Sequence, residues 1–296
     1  MPQIPAPPLR VADESDAQRH ASWLELFFDL VFVGAIAELA LVLGDDLSWP
    51  GLGHFVLLLV PVWWAWSNYA IYCDRFERDD VRHRLGMLAA MGAMAAVAVN
   101  IPGTFEGGST PFVISYIAVR LPIIALWNHA RRRVTRVRPL ATYSTLAFIT
   151  GTTLWALSLL LAEPARFVLW GLALAVETAV PWIFRRAFAG TPVHESHLAE
   201  RWGLFTIVVL GESVVAIILG LGHTEWSATA AVAAVSGFVA VAGAWWLYFG
   251  LSASPRSPAR CSPGTPSSTA TSPSPWGSWA PAWGSRRPSR PTTGTG

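Results

Sequence analysis

Among the side chains that carry an ionisable or hydroxylic head into surroundings that should exclude water, six stand out as candidates for chemistry: Glu25, Asp29, Arg120, Glu177, Glu212 and Ser213. Each falls in a run apolar enough to cross a bilayer, where a charge costs at least about 2.5–3.5 kcal/mol on insertion scales. A carboxylate persists there only if a cap, a cationic partner, water or a bound ion answers it. Several acids sharing one low-dielectric site cannot all ionise at low cost, so protons are shared among them. Such groups can load and release a proton or bind a cation.

Glu25 has a local explanation. Ser22-x-x-Glu25 is a capping box at a helix start, and an acid there suits the positive end of the helix dipole. Asp29 lies one turn deeper on the same face, roughly 9 Å into the helix, and is too short to reach the interface. It faces either a wet interior or a basic partner. Glu212 stands about 15 Å into its run, near the middle of a bilayer. Gly211 beside it permits close helix approach, and Ser213 adds a hydroxyl. Glu177 precedes Pro181 by four residues, so the carbonyls freed by that proline would form a cation site or simply fit packing. Arg120, two residues before Pro122, reads as the lone basic residue within a run, and Asp29, Glu177 and Glu212 are its available partners. The expectation is one polar site in which Asp29, Glu177, Glu212 and Arg120 meet in mid-bilayer. Glu38 lies about 180° round its helix from Asp29 and reads as an interface residue.

The elements that must hold these residues are helices. The chain has 296 residues, 53% hydrophobic and 14% charged, against about 25% charged in soluble domains. Eight apolar runs are expected to span: 23–43, 52–72, 85–101, 111–127, 140–161, 167–184, 202–221 and 228–250. This predicts an all-α polytopic transmembrane bundle over 22–250, preceded by a cytoplasmic arm over 1–21. A low-complexity tail over 251–296, rich in Pro, Ser, Thr, Gly and Arg, should be disordered. Arginine concentrates in every second connection, at 73–84, 128–139 and 185–201. The positive-inside rule then places the amino terminus, these connections and the tail in the cytoplasm. The run 131–138 reads as a topology anchor that also attracts anionic headgroups. The mixed charges of 74–84 read as local salt bridges.

Other chemistries find no support. There is no phosphate-binding loop, no dinucleotide glycine pattern and no HExxH. His194 and His197 flank Glu195 without a third ligand, Cys73 and Cys261 form no framework, and no nucleophile stands beside a base. The sequence therefore predicts no enzyme, no cofactor, no metal and no nucleic-acid partner. The expected partners are membrane lipids and a proton or small ion.

Three segments carry a resemblance. They are ELFFDLVFV at 25–33, RFERDDVRHR at 75–84 after the WWAW run at 63–66, and HLAERWGLFTIVVLGES at 197–213. Together they resemble the bacterial low temperature requirement protein A (LtrA) family over residues 22 to about 249. The resemblance implies an integral membrane protein of the bacterial inner membrane. It also implies further hydrophobic spans where the tail stands, and hence a chain truncated or frameshifted after about residue 249. Two functions stay open: a transporter or channel using its intramembrane acids, and a non-transporting protein of low-temperature or envelope adaptation.

Overall fold

A computed structural model of the chain describes residues 22–76, 80–189, 195–222 and 224–252. The arm at 1–21, the tail from 253 onward and His194 lie outside them. Among the described residues the eight expected runs are eight long helices: α1 (Trp23–Asp45), α2 (Trp49–Arg75), α3 (Val81–Asn100), α4 (Ser109–Arg133), α5 (Arg138–Ser158), α6 (Ala165–Ile183), α8 (Glu195–Gly222) and α9 (Ala228–Ser252). A five-residue helix, α7 (Arg185–Ala189), follows α6. Six of them, α1, α2, α4, α6, α8 and α9, are long and apolar enough to cross a membrane. The other two are as long but more polar. α3 opens on Arg82, His83 and Arg84, and α5 carries Thr142, Ser144, Thr145, Thr150, Thr152 and Thr153.

Local chemistry sets the helix starts. Ser22 accepts from the Glu25 N–H at 3.3 Å, and Glu25 Oε2 accepts from the Ser22 N–H at 2.9 Å, so the predicted capping box forms at α1. Between α1 and α2, Asp46 Oδ1 accepts from the Ser48 N–H at 3.0 Å, and hydrogen bonds from Ser48 hold the Asp46 carboxyl below its usual range. Ser48 in turn caps α2 at the Gly51 N–H, while Asp80 caps α3 at the His83 N–H, 2.8 Å away.

The core is aromatic. Phe28, Phe32, Trp66, Tyr69, Tyr116, Trp155 and Trp170 are fully buried, and Trp155 stacks on Trp170 with centroids 4.8 Å apart. α2 and α4 exchange hydrogen bonds beside their internal prolines. Tyr116 of α4 donates to the Pro61 carbonyl at 3.0 Å, and Tyr69 of α2 donates to the Val119 carbonyl at 2.7 Å. α9 packs on α8, where a Cβ added at Gly237 would meet the Ile217 side chain at 3.1 Å.

Candidate functional site

The acids predicted to meet do not share one site. The structure sorts them into two buried ion pairs and one solitary carboxylate.

The first pair joins α4 to α6. Arg120 is 2% exposed and Glu177 is 2% exposed. One Arg120 guanidinium nitrogen is ion-paired with Glu177 Oε1. Arg120 Nη1 donates to the Tyr116 hydroxyl at 3.1 Å, and Nε donates to Thr152 Oγ1 at 3.2 Å. The Glu177 Oε2 accepts from the Trp64 indole N–H at 2.8 Å. The guanidinium lies 5.5 Å from the Tyr116 ring centroid and 5.4 Å from that of Phe148. Gly151 of α5 makes room, since a Cβ there would collide with the Glu177 carboxylate. Arg120 thus finds its anion among the three predicted candidates, and the site is one cation against one anion.

The second pair joins α1 to α8. Asp29 is buried against Arg201: Nη2 donates to Oδ1 at 3.0 Å and Nε to Oδ2 at 3.4 Å. Arg201 Nη1 reaches Glu25 Oε1 at 3.5 Å. The Trp66 indole N–H donates to Asp29 Oδ1 at 2.7 Å. Arg201 is fully buried. This corrects the expectation that Arg120 is the lone basic residue within a helix and that 201 belongs to a loop. α8 begins at Glu195, so its first turns are polar and escape a hydropathy criterion while still being helix. The signal that could have found Arg201 was the two unanswered acids at i and i+4 on α1, which call for a fork-shaped cation.

Two of the three segments carrying the family resemblance, 25–33 and 197–213, meet at this second pair together with the WWAW run. ELFFD supplies Glu25 and Asp29, WWAW supplies Trp66, and RWGLF supplies Arg201, Trp202 and Phe205. Trp66 stacks on Phe205 with centroids 4.1 Å apart, and Trp202 meets both Trp63 and Trp66 edge-on at 5.7 Å. One turn before Arg201, His197 Nδ1 lies 3.1 Å from Asp74 Oδ1 at the end of α2. WWAW therefore serves both pairs, through Trp64 to Glu177 and through Trp66 to Asp29. Both tryptophans were legible as aromatic bulk, and their role as donors was not.

Glu212 stands apart from both. It is half-buried and makes no hydrogen bond or ion pair among the described residues. It is eleven residues along α8 from Arg201, roughly 16 Å at helical rise. It opens into an apolar cavity of about 450 Å³ between α8 and α1, walled by Val33, Ile36 and Ala40 on one side and Val209 and Ala216 on the other. Ser213 lines the same cavity, and its hydroxyl donates to the Val209 carbonyl at 3.0 Å, which leaves its oxygen as an acceptor. Among the described residues no three His, Cys, Asp or Glu side chains gather as a metal site would require.

Comparison with known proteins places the chain. A family model described as Bacterial low temperature requirement A protein (LtrA) matches residues 20–272, past the position near 249 where the resemblance was expected to end. A protein of Rhizobium meliloti (strain 1021) named Uncharacterized protein RA0937 is 31% identical over 245 residues, covering 80% of this chain and 60% of its own length. The chain thus spans about 60% of the length of that relative. No solved structure matches it.

Proposed function

The chain belongs to the bacterial low temperature requirement A family, and from that premise we propose that this multi-pass membrane protein passes a proton or small cation through the bilayer by way of Glu212. In this reading it lies in the bacterial inner membrane with its amino terminus and arginine-rich connections in the cytoplasm, and it carries out no covalent chemistry. The observation that carries the proposal is the solitary state of Glu212. A carboxyl with no hydrogen-bond or ion-pair partner among the described residues, set in an apolar cavity between two helices, has its oxygens left to receive a proton or cation. Ser213 is the natural second oxygen ligand. Asp29, Glu25, Arg120 and Glu177 are the fixed frame, because Asp29 and Glu177 are each bonded to a guanidinium and an indole, and Glu25 to the Ser22 cap and Arg201, which leaves little capacity for a mobile ion.

A second reading is favoured by the dry enclosure of both ion pairs. A non-transporting protein of low-temperature or envelope adaptation would also use buried polar pairs to fix helix association.

The test uses the full chain in liposomes with an internal pH-sensitive dye, alongside labelling by a hydrophobic carbodiimide, which attacks neutral carboxyls in apolar surroundings. The expected result is carbodiimide adduct on Glu212 and none on Asp29 or Glu177, with proton or cation flux abolished by Glu212→Gln. Flux unchanged by that substitution, or no flux in the unmodified protein, overturns the transport reading in favour of the second.

A further inference from the structure

α3 begins and α4 ends at the same face of the bundle, and a groove of about 350 Å³ lies between them. Two of its lining residues are Arg82 and Arg132, both exposed, and neither makes a hydrogen bond or ion pair among the described residues. Arg133 and Arg136 are likewise exposed and without a partner among the described residues, but they lie outside the groove. Arg120 and Arg201, by contrast, are buried in ion pairs, and neighbouring Arg131 donates twice to Asn128 Oδ1, at 2.8 and 3.2 Å. His129 adds an imidazole to the same groove. Asp80 at the rim is the one acid in the lining, and its Oδ1 is engaged in capping α3.

One turn and more back along α4, the lining changes character. Pro122, Ala125 and Leu126 form an apolar wall. Leu126 lies against α3 at Gly86, where a Cβ would stand in ordinary contact with its side chain at 3.8 Å. From Arg132 to Pro122 is ten residues, about 15 Å of helix. The groove is therefore cationic at one end and greasy at the other, over the length of a lipid headgroup and its first methylenes.

We propose that this α3–α4 groove is a binding site for one anionic phospholipid, its phosphate held between the Arg82 and Arg132 guanidiniums and its acyl chain laid along Pro122, Ala125 and Leu126. Guanidinium N–H groups match phosphate oxygens in pairs, and two exposed guanidiniums with no acceptor among the described residues fit a phosphate that is brought from outside. The apolar wall selects a lipid over free phosphate, which would gain nothing from it. The site is independent of Glu212 and of any transport.

The experiment titrates the purified full chain in mild detergent with short-chain phosphatidylglycerol, short-chain phosphatidylcholine or inorganic phosphate, reading bound adducts by native mass spectrometry. The expected result is one saturable phosphatidylglycerol, weak phosphatidylcholine, and an apparent affinity lowered about tenfold or more in Arg82→Gln/Arg132→Gln, equivalent to about 1.4 kcal/mol or more. A control double variant, Arg133→Gln/Arg136→Gln, removes two exposed arginines outside the groove and should retain the binding. Equal loss in both double variants, or loss in neither, overturns the site in favour of diffuse surface charge. Inorganic phosphate binding as well as phosphatidylglycerol, and lost with the same arginines, overturns the lipid assignment in favour of a soluble anion. All four substituted arginines are solvent-exposed, so unchanged thermal midpoints are expected and are measured alongside.

Discussion

The Arg120–Glu177 and Arg201–Asp29 pairs are built to one plan and differ in their charge balance. In each, a buried guanidinium meets a carboxylate, a tryptophan of α2 donates an indole N–H to that carboxylate, and the guanidinium lies near aromatic rings. Around Arg120 there is one acid, and the remaining donors go to the neutral oxygens of Tyr116 and Thr152. Around Arg201 there are two acids, Asp29 and Glu25, and the surplus negative charge is offset by the Ser22 cap and the start of α1. The first is closed and neutral, holding α2, α4, α5 and α6 together. The second is an acid-rich joint that secures α8 to α1 and α2. A buried pair is costly to break yet often replaceable as a unit by apolar groups, and the difference in charge decides which of these two can be replaced.

The largest effect should follow removal of either arginine. Arg120→Met and Arg201→Met are each expected to cost about 3–5 kcal/mol, read as lowered thermal unfolding of the purified protein, because each strands a buried carboxylate. The second substitution in each pair separates them. Glu177→Met added to Arg120→Met should recover most of the loss, whereas Asp29→Met added to Arg201→Met should not, since Glu25 still lacks its cation. Equal recovery in both would show that the extra charge at the α1–α8 joint carries no weight.

Next in size is Gly151→Ala. Its methyl would displace the Glu177 carboxylate, at an expected cost of about 1–3 kcal/mol of overpacking, while Gly171→Ala on neighbouring α6, where a Cβ meets nothing within 4 Å, should be neutral or stabilising in the same melt. Ser22→Ala acts only on the acid-rich joint, and losing the cap should lower stability by about 1 kcal/mol. Smallest are Trp64→Phe and Trp66→Phe, each about 0.6 kcal/mol for one lost hydrogen bond within a membrane bundle. Trp66→Phe should be the larger, because Trp66 also stacks on Phe205. The reverse order would place more of the strength in the Arg120 pair than its geometry suggests.

How far the sequence could be read follows the physics of each signal. Long apolar runs mark helices whatever their surroundings, so all eight long helices and the Ser22–Glu25 cap were legible. Arg120 could be seen to need an anion, and Glu177 was among its candidates. The polar first turns of α8 could not be seen as helix, because hydropathy records greasiness and not hydrogen bonding, and Arg201 went unread with them. Mid-run depth put Asp29, Glu177 and Glu212 at comparable levels but could not give the direction each helix presents them. Arg201 sits beside Asp29, and α1 and α8 run in the same sense from that contact, so Glu212, roughly 16 Å further along, lands beside the second half of α1. A convergence of three acids became two pairs and a solitary group for that reason alone.

The ion pair between Asp29 and Arg201 spans 172 positions of sequence. A ribosome adding about 5–20 residues per second needs roughly 10–35 s to cover that interval. During synthesis Asp29 therefore enters the translocon long before its cation exists, and five further long helices, α2 to α6, are delivered meanwhile. Trp66, only 37 positions on, arrives first and can shelter the carboxylate until α8 follows. Assembly order is thus written into the spacing: the indole acts as an early placeholder, and the joint closes only once α8 has been made.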